Sequence, residues 1–203
     1  IRDHAESRGL GDVYKRQEYQ TIGNAPPVGL CGSGVLDAVA QLRLSGVLDE
    51  RGNMADHPRV RRTDRGPEFV LVRADEGGNS REVVITRGDV GEIQLAKGAI
   101  RAGINILLNE AGLSEQDIDQ VIIAGAFGTY IDISSAITIG MFPPLPLERF
   151  NQVGNAAGMG ARLALVSKEQ RVKAAEIARQ VEYIELTNDK RFVDEFARAM
   201  YLK

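Results

Sequence analysis

Two glycine-rich turns, GLCGSG at 29–34 and GAFG at 125–128, stand where the hydrophobic pattern changes period, and they constrain the fold more than any other feature. The first opens an amphipathic helix (VLDAVAQL, 35–42), and the second closes a short, wholly apolar strand (VIIAG, 121–125). Glycine tolerates positive φ and has no Cβ, so backbone built this way approaches a ligand closely, and a helix N-terminus offers free amides to an anion. An apolar strand without alternation is buried on both faces, which calls for a sheet covered by helices on both sides. The pair of turns points to a nucleotide held between them.

Around these turns, strands alternate with helices. A helix over 33–45 carries Val35, Val39, Leu42 and Leu44 near one face and stops at Gly46. Before it, 18–23 reads as a strand and 25–27 as a rigid proline turn. Residues 49–66, rich in Arg, Asp, Gly and Pro, read as an exposed loop whose Arg59, Arg61, Arg62 and Arg65 form a solvated face. The runs 69–73 and 82–85, joined by DEGGNS, predict a hairpin. Thr86 stands three residues before Asp89, which approximates a capping box ahead of a long helix over 88–111. That helix sets Val90, Ile93, Lys97, Ile100, Ile104 and Leu107 on one stripe and Leu95, Ala99, Ala102 and Ile106 on another, predicting burial over most of its circumference. Ser114 then caps a short turn, and a strand follows at 120–124. Beyond it come a helix over 134–139, a proline-rich connector over 142–146, a short strand over 151–153, helices over 156–166 and 168–180, a strand over 181–186 and a helix over 189–199. The expected class is α/β, with a mixed sheet because the hairpin adds an antiparallel portion.

Bulk properties narrow the function. The chain has 203 residues, 26% of them charged, a formal net charge of -3 and no basic run long enough to track phosphates, so nucleic acid is not an expected partner. Cys31 is the only cysteine, which excludes a disulfide framework, a cysteine-held iron–sulfur cluster and a structural zinc, and places the chain in a reducing cytoplasm. His4 and His57 lie far apart without metal-ligand spacing. No stretch approaches the ~20 apolar residues of a membrane helix. Neither a Ser-His-Asp order nor H-E-x-x-H occurs, so no catalytic residue and no metal ligand is assigned. Residues 1–17 (IRDHAESRGLGDVYKRQ) show no helical or strand period and look like translated adapter read-through of the kind found in genes assembled from environmental DNA. They are set aside as non-native. On this expectation the fold occupies 18–203, and the natural protein continues upstream.

The motifs differ in specificity. GLCGSGVLD has the spacing G-x-x-G-x-G, which is neither the dinucleotide fingerprint nor a P-loop, and a structural tight turn explains it as well as a ligand loop. Ser33 either donates to a phosphate oxygen or caps the helix, and Cys31 reads as a small buried residue. VIIAGAFGTYID is more specific, a buried strand delivering bare backbone to a flat base or sugar; Phe127 stacks on a purine or joins the core. In VGNAAGMGARLAL the small residues let a helix pack closely against a neighbour, and only Asn155 and Gly158 are lent to a ligand.

Taken in order, PPVGLCGSGVLDAVAQL, ITRGDVGEIQLAKGAIRAGINILL, DIDQVIIAGAFGTYIDISSAITIGMFPPLP, VGNAAGMGARLAL and VEYIEL…FVDEFARAMYL resemble the C-terminal domain of the ATP-dependent reductive activators of corrinoid proteins, over almost all of 18–203. The resemblance implies a ribonuclease-H-like lobe of the acetate and sugar kinase, heat-shock chaperone and actin superfamily, chiefly its second lobe, with the nucleotide in a cleft between two lobes. It implies that Gly125, Ala126, Phe127 and Gly128 form the adenosine motif, that Gly32, Ser33, Gly34 and Asp37 face the cleft, and that Asn155 and Gly158 head the helix beside the adenosine turn. It implies ATP with Mg2+ as cofactors, a corrinoid protein as partner, and reduction of cobalt(II) to cobalt(I) by way of a two-iron two-sulfur cluster in an N-terminal domain. The cluster's cysteines and the superfamily's Asp-x-Gly-x-Thr phosphate motif are absent here, so this chain alone is not expected to catalyse. A small-molecule kinase of the same superfamily and a non-catalytic module for partner contacts or a homodimer remain as alternatives.

Overall fold

The computed structural model describes residues 19–74, 81–186 and 189–203; the segment 1–17, Glu18 and the DEGGNS turn lie outside the described residues. The core forms where the first helix, α1 (Gly32–Leu44), lays Leu36, Val39 and Leu42 against apolar side chains of a three-stranded antiparallel sheet. Its strands are β1 (Val60–Thr63), β2 (Gly66–Val72) and β3 (Val83–Thr86), in the order β1-β2-β3. The predicted hairpin is β2 and β3, with Phe69 opposite Ile85 and Val70 opposite Val84. Phe69, Leu71, Val83 and Ile85 all enter the core.

The loop expected over 49–66 contains β1. Its sequence, VRRT, lacks apolar alternation, and the strand pairs antiparallel with β2 at the sheet's edge, flanked by ion pairs: Arg61 Nε lies 2.6 Å from Glu68 Oε1 and its Nη1 lies 2.7 Å from Glu82 Oε2. The strand expected over 18–23 does not form in its described part. Gly23 (φ 67°) and Asn24 (φ 54°) take left-handed backbone in a short 3-10 turn, Ile22–Asn24, which breaks an extended run.

The long helix α2 (Arg87–Ala111) starts at the capping box read from sequence. Asp89 N donates to Thr86 Oγ1 (3.1 Å), and Thr86 N donates to Asp89 Oδ2 (2.8 Å). Its buried side takes Val90 and Lys97 from one expected stripe and Ala102 and Ile106 from the other, and leaves part of each stripe exposed. Gln94, Lys97 and Arg101 are buried, while Leu95, Ile100 and Leu107 are exposed. The reason is the tail that follows the last helix, α6 (Lys190–Ala199), and a glutamate beyond the end of α2: Gln94 Nε2 donates to Met200 O (3.0 Å), Lys97 Nζ to Tyr201 O, and Arg101 Nη2 to Glu115 Oε1. Gly98 permits the close approach, since a Cβ there would lie 3.2 Å from Met200 Cγ and 3.4 Å from Phe196 Cε2.

A second sheet pairs β4 (Val121–Ala124) with β5 (Phe150–Gly154) in parallel, and α3 (Ile133–Thr138) lies between them in the chain and packs on α1. The α/β class expected from sequence holds, with the antiparallel and parallel portions as two sheets. The expectation that the 121–125 strand is buried on both faces does not: no residue of β4 is fully buried and Ile122 is 61% exposed, because among the described residues no helix covers that face. After β5 come α4 (Ala156–Val166) and α5 (Lys168–Gln180), which pack on each other. The small residues of α4 were expected to let it pack closely against a neighbour, and it packs on α5; even so, α4 and α5 contain no buried residue, and Met159, Leu163, Leu165 and Val166 are exposed. The strand expected over 181–186 is absent, because none of the described strands pairs with this stretch.

Candidate functional site

The site is built on the carboxyl ends of β4 and β5, where parallel strands in α/β folds present their loops to ligands. Both strands run out through a glycine in left-handed backbone, Gly125 at φ 106° and Gly154 at φ 65°, and Gly125 N donates to Gly154 O (2.6 Å). At Gly125 any side chain is strained, and no heavy atom lies within 4 Å of where a Cβ would sit, so open space faces bare backbone. The chain then turns through Ala126 and Phe127 into a single 3-10 turn, Gly128–Tyr130.

Side chains fasten this turn to the sheet. Thr129 Oγ1 donates to Gly125 O (3.3 Å), and Gln152 Nε2 donates to Gly128 O (2.6 Å) and Ile131 O (2.9 Å). Gly128 is buried, and a Cβ there would lie 2.6 Å from Ile123 Cγ2, so it is glycine because its own strand's methyl fills the space.

The two glycine turns meet. The ring of the half-exposed Phe127 lies against Gly32, where a Cβ would sit 2.7 Å from Phe127 Cε2. Gly32 opens α1, followed by Ser33 and Gly34 in its first turn and Asp37, partly buried, in the next. The N-cap is Cys31, whose Sγ accepts from Gly34 N (3.4 Å) and lies 3.4 Å from Ser33 Oγ. Cys31 is therefore an exposed cap rather than the buried residue expected, and it takes the capping role weighed for Ser33. Hydrogen bonds from Ser33 and the Gly34 amide hold its thiol below the ordinary cysteine range. On the β5 side, Asn155 caps α4 by accepting from Gly158 N (2.9 Å), and a Cβ on Gly158 would lie 2.6 Å from Asn155 Nδ2.

The ten residues singled out from sequence thus lie on three segments that gather at one end of the β4–β5 pair: the start of α1, the 125–128 turn and the start of α4. Each cap uses one amide, and the other first-turn amides of α1 and α4 have no acceptor within their helices. What gathers there is backbone and one aromatic face, with Asp37 the one acidic side chain in the set. That suits a flat base and an anion, while among the described residues no three His, Cys, Asp or Glu side chains come together as a metal site. The donor set does not fit a protein-held Mg2+. Sequence reasoning missed Gln152, Thr129 and Gly154; a glycine directly after a polar strand was a signal for the last of these, and nothing local marks Gln152. A cavity of about 280 Å3 lies elsewhere, between α2 and α6, lined in part by Arg101, Asn105 and Glu195.

A sequence model of the C-terminal domain of RACo, its ASKHA domain, matches residues 8–203. This chain belongs to that family. The match begins within the 1–17 segment set aside above. The corrinoid activation enzyme RamQ of Eubacterium limosum is 38% identical over 188 residues, spanning 88% of this chain and 32% of RamQ. The [Co(II) methylated amine-specific corrinoid protein] reductase of Methanosarcina barkeri is 28% identical over 154 residues, 76% of this chain and 25% of the reductase. Among solved structures, the reductive activator for corrinoid,iron-sulfur protein superposes with a TM-score of 0.82 at 42% identity, over 91% of this chain and 30% of the activator. The chain therefore spans about a third or less of the length of these relatives. Among the described residues, no helix is long and apolar enough to cross a membrane.

Proposed function

We propose that this ASKHA domain binds ATP at the junction of the 125–128 turn and the start of α1, as the second lobe of a longer activator of a corrinoid protein. The observation that carries the reading is the contact between Phe127 and Gly32, which brings together two bare stretches of backbone more than ninety residues apart in the chain. Gly125, Ala126, Phe127 and Gly128 would hold the adenosine, and the first-turn amides of α1 and α4 would face its phosphates. Bound ATP supplies the free energy of its hydrolysis to a lobe movement. The exposed apolar face of α4 and α5, together with the open two-stranded β4–β5 sheet, supports a first lobe lying against this one.

In the longer protein, a two-iron two-sulfur cluster outside this chain would pass one electron to cobalt(II) of the corrinoid protein, giving cobalt(I). The names of RamQ, of the reductase and of the reductive activator support that partner. The test is titration of the longer protein with labelled ATP and Mg2+, beside a Gly125→Val variant. Saturable binding that weakens at least about tenfold in the folded variant is expected, because a branched side chain at φ 106° displaces the turn. Equal affinity in a folded variant, or no saturation in the wild type, overturns the reading. The cobalt step is followed by the absorbance of the corrinoid protein with reductant present, and reduction that proceeds equally without ATP overturns it.

A further inference from the structure

We infer that Gln152 is a positioning residue for nucleotide recognition: its carboxamide sets where the 125–131 turn, and with it the Phe127 ring, stands over the start of α1. The inference rests on the nucleotide-binding reading but is carried by separate observations. A 3-10 turn of three residues leaves the carbonyls at its carboxyl end without partners inside the turn, and each carbonyl has two lone pairs to fill. Here the turn is Gly128–Tyr130, and the carbonyls that bracket it, Gly128 O and Ile131 O, both accept from the single Nε2 of Gln152, at 2.6 and 2.9 Å. Both hydrogens of the amide nitrogen are thereby used, and two acceptors determine which end of the carboxamide faces them.

Gln152 is well placed to act at a distance. It sits on β5 opposite Ile123, the residue whose methyl fills the space beside Gly128, and two residues before Gly154, whose carbonyl accepts from Gly125. Three hydrogen bonds thus run between β5 and the turn, and the residue just before the turn is Phe127. Loosening the Gln152 pair frees the far end of the turn while leaving the Gly125 to Gly154 bond in place, so the ring is the part released. A glutamate of the same length would turn acceptors toward acceptors.

The experiment compares wild type, Gln152→Glu and Gln152→Met in the longer protein, with two readouts. The first needs no nucleotide: the rate at which iodoacetamide alkylates Cys31, one residue before the glycine the ring covers. The second is ATP affinity beside affinity for inorganic tripolyphosphate. Both variants are expected to speed alkylation several-fold and to weaken ATP about tenfold, the order expected for two lost hydrogen bonds. Tripolyphosphate, which lacks the base, should bind with an unchanged constant, a split that general destabilisation does not produce. Folded variants with wild-type alkylation rates and wild-type ATP affinity overturn the inference, as does an equal loss of ATP and tripolyphosphate. If the wild type fails to saturate with ATP, the nucleotide reading falls, while the alkylation arm still decides whether Gln152 positions the turn.

Discussion

Replacing Lys97 by methionine should convert a pH-dependent stability into a flat one, and the expected size follows from where the ammonium sits. Lys97 is 1% exposed on the side of α2 that faces the tail, and its Nζ donates to Tyr201 O. Burial first, then the nearby charges of Lys203 and Arg101, pull its pKa down from 10.5 to about 8. Between about pH 8 and 10.5 the unfolded chain holds this proton and the folded chain does not, so stability rises with pH through that window. Below about pH 8 the full cost of burying the charge is present, about 3 kcal/mol for a displacement of this size. Lys97→Met removes that cost but strands the Tyr201 carbonyl, at about 1–3 kcal/mol at every pH. The two effects offset near pH 7, so the proteins should unfold at similar urea concentrations there. By pH 10.5 the wild type should be more stable by about 1–3 kcal/mol. The assay is urea unfolding of both chains at half-unit steps from pH 7 to 10.5, read as the difference between the two. Parallel stability curves would refute the reasoning, because they would mean that the Lys97 proton costs the fold nothing.

Three further outcomes follow from the geometry. Thr86→Ala removes the hydroxyl half of the α2 capping box and should cost about 1 kcal/mol, read as a lower melting temperature; an unchanged melt would deny the box a role. Gly32→Ala places a methyl 2.7 Å from the Phe127 ring, so ATP affinity in the longer protein should fall about tenfold with little change in melting temperature, and equal affinity would show that ring position is irrelevant to binding. Cys31 is the one thiol, and its alkylation rate should rise through an inflection below the ordinary cysteine pKa and slow when ATP is added; indifference to ATP would place the nucleotide elsewhere.

The parts of the fold legible in the sequence are those whose cause is local. The α2 capping box needs only Thr86 and Asp89, and the β2–β3 pairing follows from two apolar runs, FVLV and VVI, on either side of the glycine-containing string DEGGNS. The start of α6 likewise needs only Asp189, whose carboxylate accepts from Arg191 N (2.8 Å). What was misread has a distant cause. On α2 the expected stripes include Ile100 and Leu107, which are exposed, while Gln94 and Arg101, which neither stripe contains, are buried: Gln94 against Met200 O, 106 residues later, and Arg101 against Glu115 beyond the helix end. β1 was missed for a related reason: VRRT has no apolar period, and its place on the sheet comes from backbone pairing with β2, beside the carboxylates of Glu68 and Glu82.

The same division runs through the candidate site, where three glycines needed for three different reasons look alike on paper. Gly125 is required by its φ of 106°, which the end of an apolar strand already suggests. Gly128 is required by the methyl of Ile123, five residues earlier, which a sequence pattern does not reveal. Gly32 is required by a phenylalanine ring from another part of the chain, and that requirement joins the two turns into one site. Gln152 stands at the far end of the scale, since a glutamine in a strand carries no signal until the carbonyls it brackets are in place. The site's chemistry was therefore readable as backbone, in glycines and helix starts, while the side chains that hold that backbone in position became visible only through the fold. A substitution at Gln152 should accordingly disturb recognition more than its unremarkable place in the sequence would suggest, and one at Gly158 should act through the Asn155 cap before it acts on any ligand.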